Sequence, residues 1–176
     1  MISARSALAA LLLTALTMPI SALARSGAAH VAADADNAYL ENLLGKWDMT
    51  GSMGSTALHY HAVGERVLQG GFLRLHMADA SPDPKYEADV FIGVDPVQHD
   101  FIVHWLDRFG AAGARVVGTG KRADAQLIVT FPYATGNFRD TFTFVPSTGT
   151  WSLLLESQKQ DGSWSPFATY SLARAH

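Results

Sequence analysis

His59 and His61 stand two apart with Tyr60 between them, and Glu65 follows. On a β-strand, residues at even spacing point to one side. Both imidazoles and the carboxylate therefore share a face, where they could hold a transition metal and serve a metal-dependent enzyme. The alternative is a histidine-rich strand edge turned to water. Phe72, Arg74 and His76 alternate in the same way. If their face lines a cavity, Arg74 and His76 are anchors for a carboxylate ligand, because a guanidinium grips a carboxylate with two parallel hydrogen bonds; if it faces water, they are solvated. Trp105 and Asp107, in "HWLDRFG", set a carboxylate beside an indole. Inside a cavity that pair would orient a ligand or raise the carboxyl pKa; at a strand end Asp107 would instead serve the turn at Gly110. The chain has no cysteine, which excludes disulfides, zinc–thiolate sites and thiol nucleophiles. It also lacks the G-x-S-x-G elbow of the α/β-hydrolases.

The elements that must position these residues are strands. Segments 46–52, 56–68, 71–78, 86–94, 99–107, 114–121, 125–132, 138–145, 150–159 and 164–174 are separated by turn signals such as Gly51 to Gly54, Gly70-Gly71, Asp95-Pro96 and Asp161-Gly162. Short strands at regular spacing predict an all-β antiparallel sandwich or barrel. Phe101, Val103 and Trp105 share one face, against Ile102, His104 and Leu106. Apolar character on both faces suits a barrel with an inner lining. Phe91, Phe101, Trp105, Phe142, Phe144 and Trp151 form the pool from which that lining, or a core, would be drawn. Before the strands, Asp36-Asn37 can cap a short helix in "AYLENLL", which Gly45 would end.

The first residues predict export. Arg5 precedes an apolar run from Ala7 to Met18, Pro19 breaks it, and Ala22-Leu23-Ala24 fits a small-x-small cleavage site. The expected organisation is a signal peptide over 1–24, a flexible linker over 25–36 and one barrel domain over 37–176, in the periplasm or outside the cell. The formal charge is −3, and loss of Arg5 with the leader takes it to −4. A mildly acidic surface without Lys/Arg runs argues against nucleic acid and against an anionic membrane surface, and no stable membrane insertion is expected after cleavage.

A helical turn followed by Gly45-x-Trp47 at the start of a strand meander resembles the calycin superfamily, which includes the lipocalins. There the tryptophan closes one end of the barrel and a basic residue of the last strand lies across it. Arg174, in "FATYSLARA", occupies that place. A more specific resemblance is to the bacterial domain-of-unknown-function family 1579. The positions that carry it are Gly70, Gly71, Phe72 and Leu73, then Gly93 and Asp95, Phe101, and Trp105 with Asp107; Val94 departs from that family's usual tyrosine. The resemblance spans roughly residues 40–174 and implies a lipocalin-like barrel, to which the segments above give about ten strands and a small capping helix. It implies no activity. Nitrobindin-like barrels bind haem through a late histidine, but here the last strand has none, so no cofactor is expected.

The expected function is binding or carrying a small hydrophobic or amphipathic molecule through Phe72, Arg74, His76, Phe91, Phe101, Trp105 and Asp107, with Gly45, Trp47 and Arg174 structural. The alternatives are a metal-dependent enzyme using His59, His61 and Glu65, or a filled barrel acting through protein contacts. The sequence leaves the oligomeric state open.

Overall fold

The apolar residues of the strand segments recur at every second position, and such strands bury one face when they curl into a closed sheet. The computed structural model describes residues 33–176. It contains a helix, α1 (33–41), and ten strands: β1 (Gly45–Met53), β2 (Thr56–Val67), β3 (Phe72–Asp79), β4 (Glu87–Asp95), β5 (Asp100–Asp107), β6 (Val117–Ala123), β7 (Gln126–Tyr133), β8 (Gly136–Val145), β9 (Thr150–Gln158) and β10 (Trp164–Arg174). Each strand pairs antiparallel with its sequence neighbours, and β1 pairs with β10, with Trp47 opposite Arg174. The sheet is thus a closed ten-strand meander barrel.

Two elements differ from expectation by more than two residues at an end. The helix is already formed at residue 33, inside the expected linker, and ends at 41, so Gly45 is not its terminal glycine. Strand β6 starts at Val117, because Gly113–Arg115 forms a 3-10 turn whose Ala114 carbonyl accepts a hydrogen bond from His104 Nε2 at 2.7 Å. The expected signal peptide, 1–24, and most of the expected linker lie outside the described residues. No helix of the described residues is long and apolar enough to cross a membrane.

Helix α1 plugs one end. Its apolar stripe places Tyr39 and Leu40 in the core, and Leu43, in the turn that follows, joins them. The Tyr39 hydroxyl lies 3.2 Å from the Ala125 carbonyl and 3.1 Å from that of Phe142. Trp151 Nε1 donates to the Asn42 carbonyl at 3.1 Å. Trp47 is 1% exposed and donates through Nε1 to the Leu43 carbonyl at 2.8 Å. The Arg174 guanidinium lies 3.9 Å from the centre of the Trp47 ring and donates to the carbonyls of Asn42 and Leu44. One cation therefore ties β10, β1 and the helix C-terminus together, and gains roughly 0.5–2 kcal/mol over the indole.

Two glycines make this closure possible. Gly45 has φ of +103°, and a Cβ there would lie 2.6 Å from the Arg174 guanidinium. Gly64, its register partner on β2, lies against the helix end: a Cβ would meet the Leu43 carbonyl oxygen at 2.0 Å. Above the plug the barrel is solid. Met49, Leu73, Leu75, Ile92, Phe101, Val103, Val129, Phe142 and Leu153 are all buried inside it.

Candidate functional site

At the end opposite the helix the packing opens into a cavity of about 650 Å³. Its walls are side chains near the open ends of most strands. Tyr60 comes from β2, Trp105 and Asp107 from β5, Phe131 and Tyr133 from β7, and Phe138 and Asp140 from β8. Leu155 of β9, Tyr170 of β10 and Tyr86, just ahead of β4, complete them. At the mouth, the lining residues Met53, Phe109 and Phe167 are 42%, 75% and 46% exposed.

The aromatic rings form a continuous wall. Tyr60 lies 5.7 Å from Tyr86 and 5.8 Å from Tyr170, centre to centre, and Phe131 stacks on Tyr133 at 6.2 Å. Trp105 Nε1 donates to the Tyr86 hydroxyl at 3.0 Å, and that hydroxyl lies 3.4 Å from Asp107 Oδ2. The other oxygen of Asp107, Oδ1, accepts from the backbone N–H of Phe109 at 3.0 Å. Asp107 therefore does both things its position allowed: it orders the turn and faces the cavity. Burial raises the phenol pKa of Tyr60, Tyr86, Tyr133 and Tyr170, so these hydroxyls stay neutral donors and acceptors.

Asp140 is the residue that sequence reasoning missed. It is 1% exposed. Its register partners, Val129 and Leu155, are apolar, and its Oδ1 has no hydrogen-bond partner among the described residues. Removal from water pushes its pKa up from 3.8 to about 8. The signal was available: Phe138, Asp140, Phe142 and Phe144 have the same parity, so an acid stands in a row of phenylalanines.

The predicted residues divide by strand face. Trp105 and Asp107 line the cavity. Phe101 points inward but sits in the solid half, as do Phe142 and Trp151, and Phe144 packs beside Trp151. Phe72, Arg74, His76 and Phe91 are corrections: they lie on the outer face, opposite in parity to the fully buried Leu73, Leu75, Met77, Val90 and Ile92. Charge dictates this, since three apolar side chains compete for the interior of β3 against two basic ones. Outside, Arg74 bonds Glu65 and lies 3.7 Å from Asp89, while His76 Nδ1 is 3.0 Å from Asp89. The cavity thus holds neither Arg74 nor His76 as an anchor.

His59 and His61 are exposed on the outer face of β2, with ring centres 5.5 Å apart. Glu65 does not join them: it lies four residues beyond His61 along the strand, and its carboxylate pairs with Arg74. Asp48, opposite His61 on β1, joins instead: its carboxylate is 3.3 Å from His61 Nδ1, and one ligand atom from each of the three residues lies within 4.8 Å of the others.

Fold and site together define a class: a closed ten-strand antiparallel barrel with one plugged end and one open end, consistent with a lipocalin/calycin-like fold. Compared with models of known protein families and with curated proteins, the chain matches none.

Proposed function

We propose that this barrel binds or carries a small hydrophobic or amphipathic molecule in its open half. The observation that carries the reading is the cavity itself: about 650 Å³, walled by aromatic rings, with exposed apolar side chains at its mouth. That volume falls in the range of small-molecule sites, which combine apolar walls with a few polar groups. The barrel would act after export, in the periplasm or outside the cell; Arg5, the apolar run over 7–18 and Ala22-Leu23-Ala24 support this part of the proposal. Kinship with the domain-of-unknown-function family 1579 belongs to the same proposal. It is supported by a contact between two motif positions, since a Cβ on Gly93 would lie 2.7 Å from the Phe72 ring.

A second reading is favoured by the Asp48, His59 and His61 triplet: a metal held on the outer face, with Asp48 in the place expected for Glu65. One preparation tests both readings. Purified protein should release a small organic molecule in native mass spectrometry and take up the neutral dye Nile red, and Leu58→Trp, which crowds the cavity with an indole, should weaken uptake. Uptake that is absent from the unaltered protein, or unchanged by Leu58→Trp, refutes the carrier. Metal analysis of the same sample decides the second reading: stoichiometric metal lost in His59→Ala/His61→Ala supports it, and its absence from protein purified without chelator refutes it.

A further inference from the structure

We infer that the ligand of the cavity carries a protonated amine, seated against Asp140 and the surrounding aromatic rings. This deepens the proposed carrier function and rests on it.

The first ground is the sign of charge in the cavity. Among the described residues its lining contains three acids, Asp79, Asp107 and Asp140, and one cation, Lys85. The Lys85 ammonium lies 2.5 Å from the Asp83 carboxylate, in an exposed loop at the rim. Among the described residues, no arginine or histidine lines the space. A carboxylate ligand would meet carboxylates with no free cation to hold it, whereas an ammonium would meet the opposite charge. The second ground is Asp140 itself. A buried carboxyl with an unpartnered oxygen among apolar neighbours is rare in a folded protein, and it lies on the wall of a space large enough for a partner. The third ground is what surrounds it. Tyr60, Tyr86, Tyr133, Tyr170 and Trp105 present ring faces, edges and neutral hydroxyls, and π-faces attract a desolvated cation.

Proton balance gives the idea a signature. The groups that face Asp140 across the cavity are Tyr60 from β2, Asp79 at the end of β3, Lys85 and Tyr86 ahead of β4, Asp107 from β5, Tyr133 from β7 and Tyr170 from β10. The lining residue of β9, Leu155, does not titrate. All four phenols are held neutral through the neutral pH range. In the free protein Asp140 keeps its proton up to pH about 8. When an ammonium binds, the carboxyl ionises and one proton leaves to solvent. Amine affinity therefore rises with pH until Asp140 is ionised in the free protein; affinity for a neutral ligand does not.

The test is calorimetric titration of the full chain with decylamine, decanol and decanoate, which share a tail and differ in headgroup. Decylamine should bind about tenfold tighter than decanol at neutral pH, with decanoate weakest. Its affinity should rise by about tenfold per pH unit below pH 8, with about one proton released per ligand as measured in buffers of different ionisation enthalpy. Asp140→Asn should bring decylamine to the level of decanol while leaving decanol binding in place. Decanol or decanoate binding as tightly as decylamine, or amine binding without proton release, overturns the amine assignment and leaves the carrier standing. Failure of all three to bind overturns both. If Asp140→Asn does not fold, proton release by the unaltered protein decides alone.

Discussion

The burial of Asp140 makes a prediction about the protein without any ligand. A carboxyl whose pKa is raised in the folded state binds a proton there that the unfolded chain has already lost. Stability is therefore fully present below the unfolded value of 3.8 and is lost as pH rises towards the folded value of about 8. Within that window the slope is about −1.4 kcal/mol per pH unit. From about pH 5 to about pH 7.5 the contribution of Asp140 falls by about 3 kcal/mol, a large part of the stability of a domain this size. Asp140→Asn has nearly the same volume and cannot ionise. It may not be compared by absolute stability, because its amide is also unpartnered and carries a penalty of its own. The quantity to read is the difference in slope.

Urea unfolding of both proteins, followed by tryptophan fluorescence at several pH values in that range, supplies it. Contributions common to the two proteins cancel in the difference. Asp79, Asp95 and Asp161, whose pKa values are lowered chiefly by hydrogen bonds from nearby backbone or side-chain groups, act only at more acid pH. The unaltered protein should lose about 3 kcal/mol relative to Asp140→Asn across the window. Parallel profiles would mean that Asp140 is already ionised and solvated in the folded barrel. The reasoning from burial to a protonated acid would then fail, and the pH signature expected for amine binding with it.

Two further predictions test the closed end. Trp47→Ala should destabilise the protein by about 3–5 kcal/mol in urea unfolding; no measurable loss would refute the plug formed by Trp47, Leu43 and Arg174. Gly64→Ala should cost about 1–3 kcal/mol, because the new methyl meets the fixed Leu43 carbonyl rather than a movable side chain, whereas Gly113→Ala, which meets nothing within 4 Å, should stay within about 0.5 kcal/mol of the parent; equal effects at the two sites would show that the helix end does not press on β2.

Much of the fold was legible because turns and alternation are local properties. The Gly, Pro, Asn and Asp clusters mark nearly every strand end, and the pairing of β1 with β10 was implied by the resemblance through Trp47 and Arg174. What sequence left open was which face of β3 turns inward. The strand itself carries the answer: Leu73, Leu75 and Met77 are apolar without exception, while their opposites include Arg74 and His76. The same count on β8 exposes Asp140. Asp140 stands in the middle of β8, unlike Asp95, which belongs to its loop through its bonds to the N–H groups of Val97 and Gln98. The depth of the cavity was not legible at all. Phe101 and Trp105 share parity on one strand, yet one fills the solid half and the other lines the space. That difference depends on height along the barrel and on how far the helix plug reaches.

The distribution of charge follows from an asymmetry between acids and bases. An arginine cannot shed its proton in a protein, so away from water it needs a partner. The barrel keeps its arginines on the outer face or at its ends, where Arg66 meets Glu41, Arg74 meets Glu65, Arg122 meets Asp36 and Arg139 meets Glu156. An aspartate has another recourse: it can take up a proton and enter an apolar interior as a neutral group. A barrel lined with phenylalanine, tyrosine and leucine therefore tolerates Asp140 where it would not tolerate Arg74. The acid that survives there by being neutral can still be charged by a suitable guest, because a cation of the right size returns to it what burial removed. The same physics that expels Arg74 and His76 from the cavity thus sets the sign of the charge that the cavity can receive.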